Sequence, residues 1–165
     1  MNKKILYLDL DGVVADFEKG IEAIYPDINS AQIFSNKAIR DAKIDAICAE
    51  NPTIFEHLPL VDGAKKAVIR LFEIYEVYFL STPMWDLPTS FSGKRIWLEK
   101  HFGALAKKRL ILTHRKDLNV GDYLVDDRLR NGADKFGGKH IHFGSTEFPD
   151  WQSVLTYLEL NSQKY

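Results

Sequence analysis

Two pairs of carboxylates follow apolar runs in this chain of 165 residues. Asp9 and Asp11 come directly after the run at residues 5–8, and Asp126 and Asp127 lie in the segment YLVDDR. An Asp before a glycine is common turn chemistry, so solvated turn residues are the alternative interpretation. Like charges held together repel and raise one pKa unless a cation neutralises them. If both pairs lie at one edge of a parallel sheet, they are suited to a Mg²⁺ site of hard oxygen ligands.

Five short apolar runs predict strands that are covered on both faces, because most of them are continuous rather than alternating. The segments between them carry apolar residues at helical spacing and predict amphipathic helices. This alternation is typical of an α/β fold with a doubly wound, mainly parallel sheet. The predicted strands are 5–8, 77–80, 110–112, 123–125 and 140–143, and the predicted helices are 64–75, 94–102 (with Gly103 as its C-terminal cap) and 150–160.

Residues 16–62 interrupt the alternation. The stretch is too long for one crossover helix, and residues 21–25, 30–34 and 37–48 predict two or three helices, with Ser30 as an N-cap. We predict that residues 1–15 and 63–165 form the α/β core and that 16–62 form a small helical cap. Ligands of open α/β sheets bind beyond the carboxyl ends of the strands. An insertion that leaves from this edge is therefore expected to cover the site as a lid.

The composition is that of an ordinary globular protein, with 45% hydrophobic and 27% charged residues. A net charge of −1 indicates no general affinity for nucleic acid polymers or acidic membranes. The single cysteine, Cys48, excludes an internal disulfide and a cysteine-based zinc cluster, and it fits a reducing compartment. We see no signal peptide and no run of ~20 apolar residues. We expect a cytoplasmic protein that acts on a small molecule; a homodimer is compatible with the sequence.

An ordered set of motifs resembles the haloacid dehalogenase (HAD)-type phosphatases. The set is DLDGV at 9–13, STP at 81–83, Lys94, Lys116 and the acid pair at 126–127. The match is closer to the 5′(3′)-deoxyribonucleotidases: "DLDGVVADF" resembles their DMDGVLADF-like opening, "GKRIWLEKHFG" their lysine-plus-WVEKYFG helix, and "YLVDDR" their LLIDDR. The resemblance covers about residues 4–128 and extends to the insertion only in place and length. It implies a HAD-like core and Mg²⁺-dependent dephosphorylation of deoxyribonucleoside monophosphates.

By this resemblance Asp9 is the nucleophile, which attacks phosphorus and forms an aspartyl-phosphate. We expect it as an exposed, ionised carboxylate that needs orientation rather than a base. Asp11 is placed to protonate the leaving oxygen and then to deprotonate the hydrolytic water. The resemblance assigns the metal to Asp9, the backbone carbonyl of Asp11, Asp126 and Asp127, with Asp127 favoured as the direct ligand of the adjacent pair.

The resemblance also assigns Ser81, Thr82, Lys94 and Lys116 to the phosphate oxygens. Without it, a lone lysine is a solvated surface residue and Ser-Thr before proline is a turn. The family's usual Thr-Ser is Ser-Thr here, an order that keeps the leading hydroxyl. The arginine of the family's LTRDK segment is replaced by His114, with Arg115 one place later, and this weakens any assignment of substrate contacts to that loop.

Aromatic residues are the candidates for nucleobase contacts. Phe17 matches the family's aromatic residue that lines the base pocket, and Phe55, Trp85 and Phe34 are further candidates to stack on a base. The alternative for each is a place in the hydrophobic core.

Three other functions stay open at this point. A phosphatase for a sugar phosphate or another small phosphomonoester shares the motifs, because the cap and not the core sets the substrate. A receiver-like signalling module also surrounds Mg²⁺ with acids and a lysine, but its phosphorylated Asp lies on a later strand than its acidic pair and it has no cap. A catalytically silent binding protein is disfavoured because every motif position holds a competent residue.

Overall fold

A five-stranded parallel sheet forms the centre of the protein in the computed structural model, which describes residues 3–162. Its order is β3-β2-β1-β4-β5, and every neighbouring pair is parallel. All five predicted strands are confirmed, each within one residue of its predicted bounds. The strands are β1 (Ile5–Leu8), β2 (Glu76–Ser81), β3 (Leu110–Leu112), β4 (Tyr123–Asp126) and β5 (Lys139–His142).

The stretch between β1 and β2 begins with four helices. The first starts four residues before the predicted position, because the Asp16 side chain caps it by accepting from the Lys19 N–H at 3.0 Å. Ser30 stands at the N-cap of the second helix, but its side chain makes no capping hydrogen bond, so this prediction holds for the position only. The fourth helix is a single turn that the sequence pattern did not reveal. The helices are α1 (Phe17–Ile24), α2 (Ala31–Phe34), α3 (Lys37–Glu50) and α4 (Ile54–His57).

Three further α-helices complete the fold: α5 (Ala64–Ile74), α6 (Pro88–Phe102) and α7 (Trp151–Ser162). The second of them starts six residues before the predicted position, with proline at its first turn, where a missing N–H costs nothing. It ends at Gly103, as predicted, and this glycine has a φ of +51°. Within residues 3–162, none of the helices has the length and apolar character needed to cross a bilayer.

The two faces of the sheet are covered unequally. Alternate residues of β1, β2 and β4, which point to the same face of the sheet, pack in the main core together with apolar residues of α5, α6 and α7. The other face carries a smaller cluster in which Tyr7, Leu80 and Leu124 pack against Ala133 and Phe136. The central strands are therefore buried on both sides, which explains their continuous apolar sequence.

The chain order places a topological switch point between β1 and β4, because β2 and β3 extend the sheet to one side and β5 to the other. The residues after these two strands share one edge of the sheet, where ligands bind in open α/β folds. Two backbone hydrogen bonds close the base of the insertion beside this edge. Asp16 N donates to the Pro59 carbonyl at 2.7 Å and pairs the two ends of the insertion, and Val61 N donates to the Val14 carbonyl of the core at 3.0 Å.

Candidate active site

The chain turns sharply as it leaves β1. The Asp9 N–H donates to the Val125 carbonyl at 2.9 Å, which ties the end of β1 to β4. The Leu10 N–H donates to Asp9 Oδ1 at 2.8 Å, so the carboxylate is oriented by its own neighbour. The Leu10 carbonyl accepts three backbone N–H groups, those of residues 13, 14 and 15. This compact turn holds the two carboxylates of the first motif at the switch point.

Gly12 is required for the approach of the two acidic segments. Its φ is +80°, a conformation that residues with a Cβ rarely adopt. A Cβ at this position would lie 2.3 Å from Asp127 Oδ2. Glycine therefore lets the turn after β1 pack against the loop after β4.

Three carboxylates converge at this edge. One oxygen each from Asp9, Asp126 and Asp127 lies within 4.8 Å of the others. Asp126 is already engaged at both oxygens, accepting from Lys116 Nζ at 2.5 Å and from the Arg128 N–H at 2.8 Å. Asp127 Oδ1 is buried without a hydrogen-bond partner within the described residues. A buried oxygen of this kind is costly unless a donor or cation meets it, so the cluster fits a cation.

Lys116 is buried and bridges two of these acids, with Nζ 3.1 Å from Asp9 Oδ2 and 2.5 Å from Asp126 Oδ2. Burial acts to lower the pKa of Lys116, but the charges of Asp9 and Asp126 outweigh it and raise that pKa above its ordinary value. The lysine therefore carries a positive charge beside the proposed nucleophile.

The acids of the second pair are harder to ionise than usual. Burial, followed by the charge of Asp9, raises the pKa of Asp126 to about 6 and the pKa of Asp127 to about 7. Protons therefore compete with a cation for these oxygens near neutral pH.

Asp9 itself is not the exposed carboxylate that the sequence predicted. It is buried, with 7% of its surface accessible, because β4 and Lys116 close around the end of β1. The prediction of exposure was wrong, since it treated the residue as part of a loop rather than as the first residue of a turn packed on a neighbouring strand.

The other phosphate-site candidates have different surroundings. The buried ammonium of Lys94 pairs with the Asp11 carboxylate and lies 4.8 Å from the centre of the Phe55 ring. Thr82 Oγ1 donates to the Thr113 carbonyl at 2.8 Å. Ser81 Oγ is buried without a partner within the described residues and stands at the carboxyl end of β2. The Ser81 hydroxyl thus has no partner among the described residues, but the residue is only 1% exposed.

A cleft of about 980 Å³ opens above this edge, between the sheet and the insertion. Asp9, Asp11 and Lys116 lie on its core side. Phe17 and Phe55 of the insertion also line it. Both pack in the hydrophobic core, at 8% and 2% exposed, and their rings stack on each other with centres 5.8 Å apart and planes 16° apart. The cleft therefore combines a charged base with an aromatic wall.

Two further aromatic candidates differ in their positions. Phe34 lines the cleft and is largely exposed. Trp85 is not among the lining residues: it is 76% exposed and its ring meets His114 edge-on, with centres 5.8 Å apart.

Several charged residues that the sequence analysis passed over also line the cleft. Arg40 of α3 donates to the Glu18 carboxylate of α1, and its side chain packs over the Phe34 ring with a separation of 5.9 Å. Arg128 and Arg130 follow the second acid pair directly, and this adjacency was the one signal that could have identified them. The contact between Glu18 and Arg40 depends on the packing of α1 against α3 and left no sequence signal.

The fold is that of the HAD hydrolases. The HAD-hydrolase YfnB from Bacillus subtilis, in a structure bound to magnesium, aligns with a TM-score of 0.65 at 12% identity, over 96% of this chain and 99% of that one. A haloacid dehalogenase-like hydrolase from Xanthomonas campestris aligns with a TM-score of 0.59 at 12% identity, over 99% of both chains. The sheet order and the acid cluster at the switch point agree with this class.

The sequence identifies the family within that class. The profile of the family "5' nucleotidase, deoxy (Pyrimidine), cytosolic type C protein" matches residues 3–152. Relatives named "Putative 5'(3')-deoxyribonucleotidase" occur in Vibrio phage KVP40, at 45% identity over 95% of this chain and 85% of that protein, and in Bordetella pertussis, at 35% identity over 92% and 95%. The chain belongs to this family and is a phosphatase of the 5′-nucleotidase type.

Proposed function

We propose that the protein is a Mg²⁺-dependent 5′(3′)-deoxyribonucleotidase that hydrolyses deoxyribonucleoside monophosphates through an aspartyl-phosphate. The observation that carries this proposal is the convergence of three carboxylates and Lys116 beneath a cleft with an aromatic wall. Two curated relatives with 5′(3′)-deoxyribonucleotidase names support the substrate class.

The acid cluster fits Mg²⁺, because it consists of carboxylates alone and leaves one buried oxygen of Asp127 without a partner. Asp9, Asp127 and the Asp11 carbonyl would hold the ion, with Asp126 contributing directly or through water. The YfnB structure bound to magnesium supports this choice of metal. Bound there, the ion would offset the repulsion between Asp9 and a phosphate.

The proposed reaction has two displacements at phosphorus. An Asp9 carboxylate oxygen attacks phosphorus, the ester P–O bond breaks, and Asp11 gives its proton to the leaving oxygen. The Asp11 carboxylate then takes a proton from water while the water oxygen attacks phosphorus, and the bond to Asp9 breaks. Lys116 and the Leu10 N–H hold the Asp9 carboxylate in place for both steps.

Phosphate binding is assigned to the residues beside the nucleophile. We propose that Ser81, Thr82, Lys94 and Lys116 stabilise the phosphoryl group. Thr82 and Lys116 line the cleft, whereas Ser81 and Lys94 are buried and are not among its lining residues. Lys116 is the better placed of the two lysines, since it lies on the cleft and contacts Asp9.

We propose that residues 16–62 act as a cap over the site and set its specificity. The stacked pair of Phe17 and Phe55 would contact a nucleobase, which an aromatic wall suits. We retain Trp85 as a less favoured candidate, because it stands outside the cleft lining. Cytoplasmic function is proposed from the family's description, and a homodimer stays a prediction that sedimentation velocity can test.

A substrate panel tests the proposal directly. Purified protein with excess Mg²⁺ should hydrolyse 5′- and 3′-deoxyribonucleoside monophosphates with higher kcat/KM than ribonucleotides, hexose phosphates or glycerol phosphate. Asp9→Asn protein from the same purification controls for contaminating phosphatases. Highest efficiency on a sugar phosphate would instead favour the other small-phosphomonoester function.

A further inference from the structure

We infer that Phe55 is a positioning residue for the chemical step: its ring holds the Lys94 ammonium, and Lys94 in turn orients the Asp11 carboxylate. A wall of the substrate cleft and the acid/base group thereby share one buried cation. This inference rests on the proposed role of Asp11 in proton transfer.

The contacts form a short continuous chain. The Lys94 side chain is 2% exposed, and its ammonium pairs with Asp11 Oδ2. The same ammonium lies 4.8 Å from the centre of the Phe55 ring, within the range of a cation–π contact. Because this cation is shielded from water, both partners attract it more strongly than they would at the surface. The Phe55 ring therefore holds one side of the Lys94 ammonium, and the other side of the ammonium holds the Asp11 carboxylate.

The backbone holds the ring in this position. A Cβ at Gly93 would lie 2.9 Å from the Phe55 Cβ, so α4 packs against the glycine face of α6. Four residues further along α6, Trp97 Nε1 donates to the Leu58 carbonyl at 2.7 Å. The two contacts fasten the segment that carries Phe55 to the helix that carries Lys94.

Phe55 also belongs to the aromatic wall, since its ring stacks on Phe17 and both rings line the cleft. A substrate base that contacts this wall would therefore also contact the Phe55 ring, which holds the Lys94 ammonium. This arrangement predicts that Phe55 affects proton transfer even for substrates that have no base.

The test compares leaving groups on base-free substrates. Glycerol phosphate expels a poor leaving group that needs a proton, whereas acetyl phosphate, which also has no ring to stack on the aromatic wall, expels acetate, which needs little protonation. Phe55→Leu should lower kcat/KM about tenfold on glycerol phosphate, which is part of the ~10²–10⁴-fold that general acid catalysis contributes. The loss on acetyl phosphate should be less than about twofold. The ratio of the two values is independent of the fraction of folded enzyme, so partial unfolding does not imitate the effect.

Phe148→Leu is the matched control, because Phe148 is a buried phenylalanine packed on Tyr157 of α7, outside the cleft lining. It should leave the ratio unchanged. Lys94→Met should change the ratio in the same direction as Phe55→Leu, and adding Phe55→Leu to Lys94→Met should cause no further change. Independent, multiplying effects in the double variant would overturn the inference.

Asp11→Asn separates this inference from the proposed function. If Asp11→Asn leaves the leaving-group ratio unchanged, the proposed role of Asp11 is wrong. If Asp11→Asn changes the ratio and Phe55→Leu does not, the proposed function stands and the inference about Phe55 is wrong.

Discussion

The ammonium of Lys116 lies 3.1 Å from a carboxylate oxygen of Asp9, and both side chains are buried. This contact joins the end of β1 to the segment that precedes β4 at the switch point of the sheet. It matches a buried negative charge with a buried positive charge, and it orients the carboxylate that we propose as the nucleophile.

Removal of Lys116 should therefore affect both stability and activity. Lys116→Met leaves Asp9 and Asp126 without their shared cation, and breaking a buried pair in this way typically costs about 3–5 kcal/mol. We expect a lower urea midpoint and a turnover near zero. Excess Mg²⁺ should restore part of the stability but not the turnover, since a metal at the acid cluster can neutralise charge without replacing the lysine's contact. An unchanged urea midpoint in EDTA would contradict the structural part of this prediction.

Substitution of Asp9 and substitution of Asp11 should have different effects on activity. Asp9→Asn should abolish turnover and prevent formation of any acid-stable phosphoenzyme after rapid quench. Asp11→Asn should lower kcat/KM by ~10²–10⁴-fold on nucleotides, the usual contribution of general acid catalysis. The loss should be smaller on p-nitrophenyl phosphate. Equal losses on both substrates would argue against Asp11 as the proton donor.

The raised pKa of Asp127 predicts how metal-free stability depends on pH. The pKa of Asp127 is about 7 in the folded protein, against an ordinary value of 3.8. Between pH 3.8 and about pH 7 the folded protein therefore binds more protons than the unfolded chain. The contribution of Asp127 to the free energy of unfolding therefore falls as the pH rises through this window. Asp126, with a pKa of about 6, acts in the same direction.

Thermal melts in EDTA should show this trend, with Tm decreasing from pH 5 to pH 8 more steeply for the native sequence than for Asp127→Asn. Mg²⁺ requires the ionised acids, so the increase in Tm on adding Mg²⁺ should be larger at pH 8 than at pH 5. EDTA should also abolish turnover. An equal Mg²⁺ effect at both pH values, or activity that survives EDTA, would count against the metal site.

The strands and the acid pairs were predictable for the same reason. Central parallel strands are buried on both faces, which forces continuous apolar runs, and the residues that end them reach a common edge. The positions of Asp9 and Asp126 thus follow from local sequence and topology. Family membership was recognisable because five motifs occur in one order.

The features that escaped prediction depend on contacts between distant parts of the chain. The burial of Asp9 comes from β4 and Lys116, and the destination of the Lys94 ammonium depends on the packing of α4 against α6. A single-turn helix such as α4 has too few residues to show a period. Trp85 looked suitable by residue type, but its orientation toward His114 is a property of the folded loop.

Gly12 should tolerate no side chain. Gly12→Ala adds a Cβ at φ +80° and 2.3 Å from Asp127 Oδ2, so the acid loop must move. The backbone strain alone is expected to cost ~1–3 kcal/mol. Because the displaced Asp127 is a proposed metal ligand, the Mg²⁺ concentration at half-maximal activity should rise. Gly137→Ala is the control, since a Cβ there meets no atom within 4 Å. Equal Mg²⁺ dependence in the two variants would contradict this assignment.

The last prediction concerns Phe17 and the substrate. If its ring stacks on a nucleobase, Phe17→Ala should remove a contact worth ~1–3 kcal/mol, by analogy with aromatic stacking on single strands. Efficiency on deoxyribonucleotides should then fall about ten- to a hundredfold, since 1.4 kcal/mol corresponds to a factor of ten. The loss on glycerol phosphate, which has no base, should be much smaller. Because Phe17 also packs in the core, at 8% exposed, the variant should have a lower Tm whichever role the ring has. If the ring serves packing alone, the losses should be comparable on all substrates. That pattern would remove the support for a base pocket and leave a phosphatase of broader specificity.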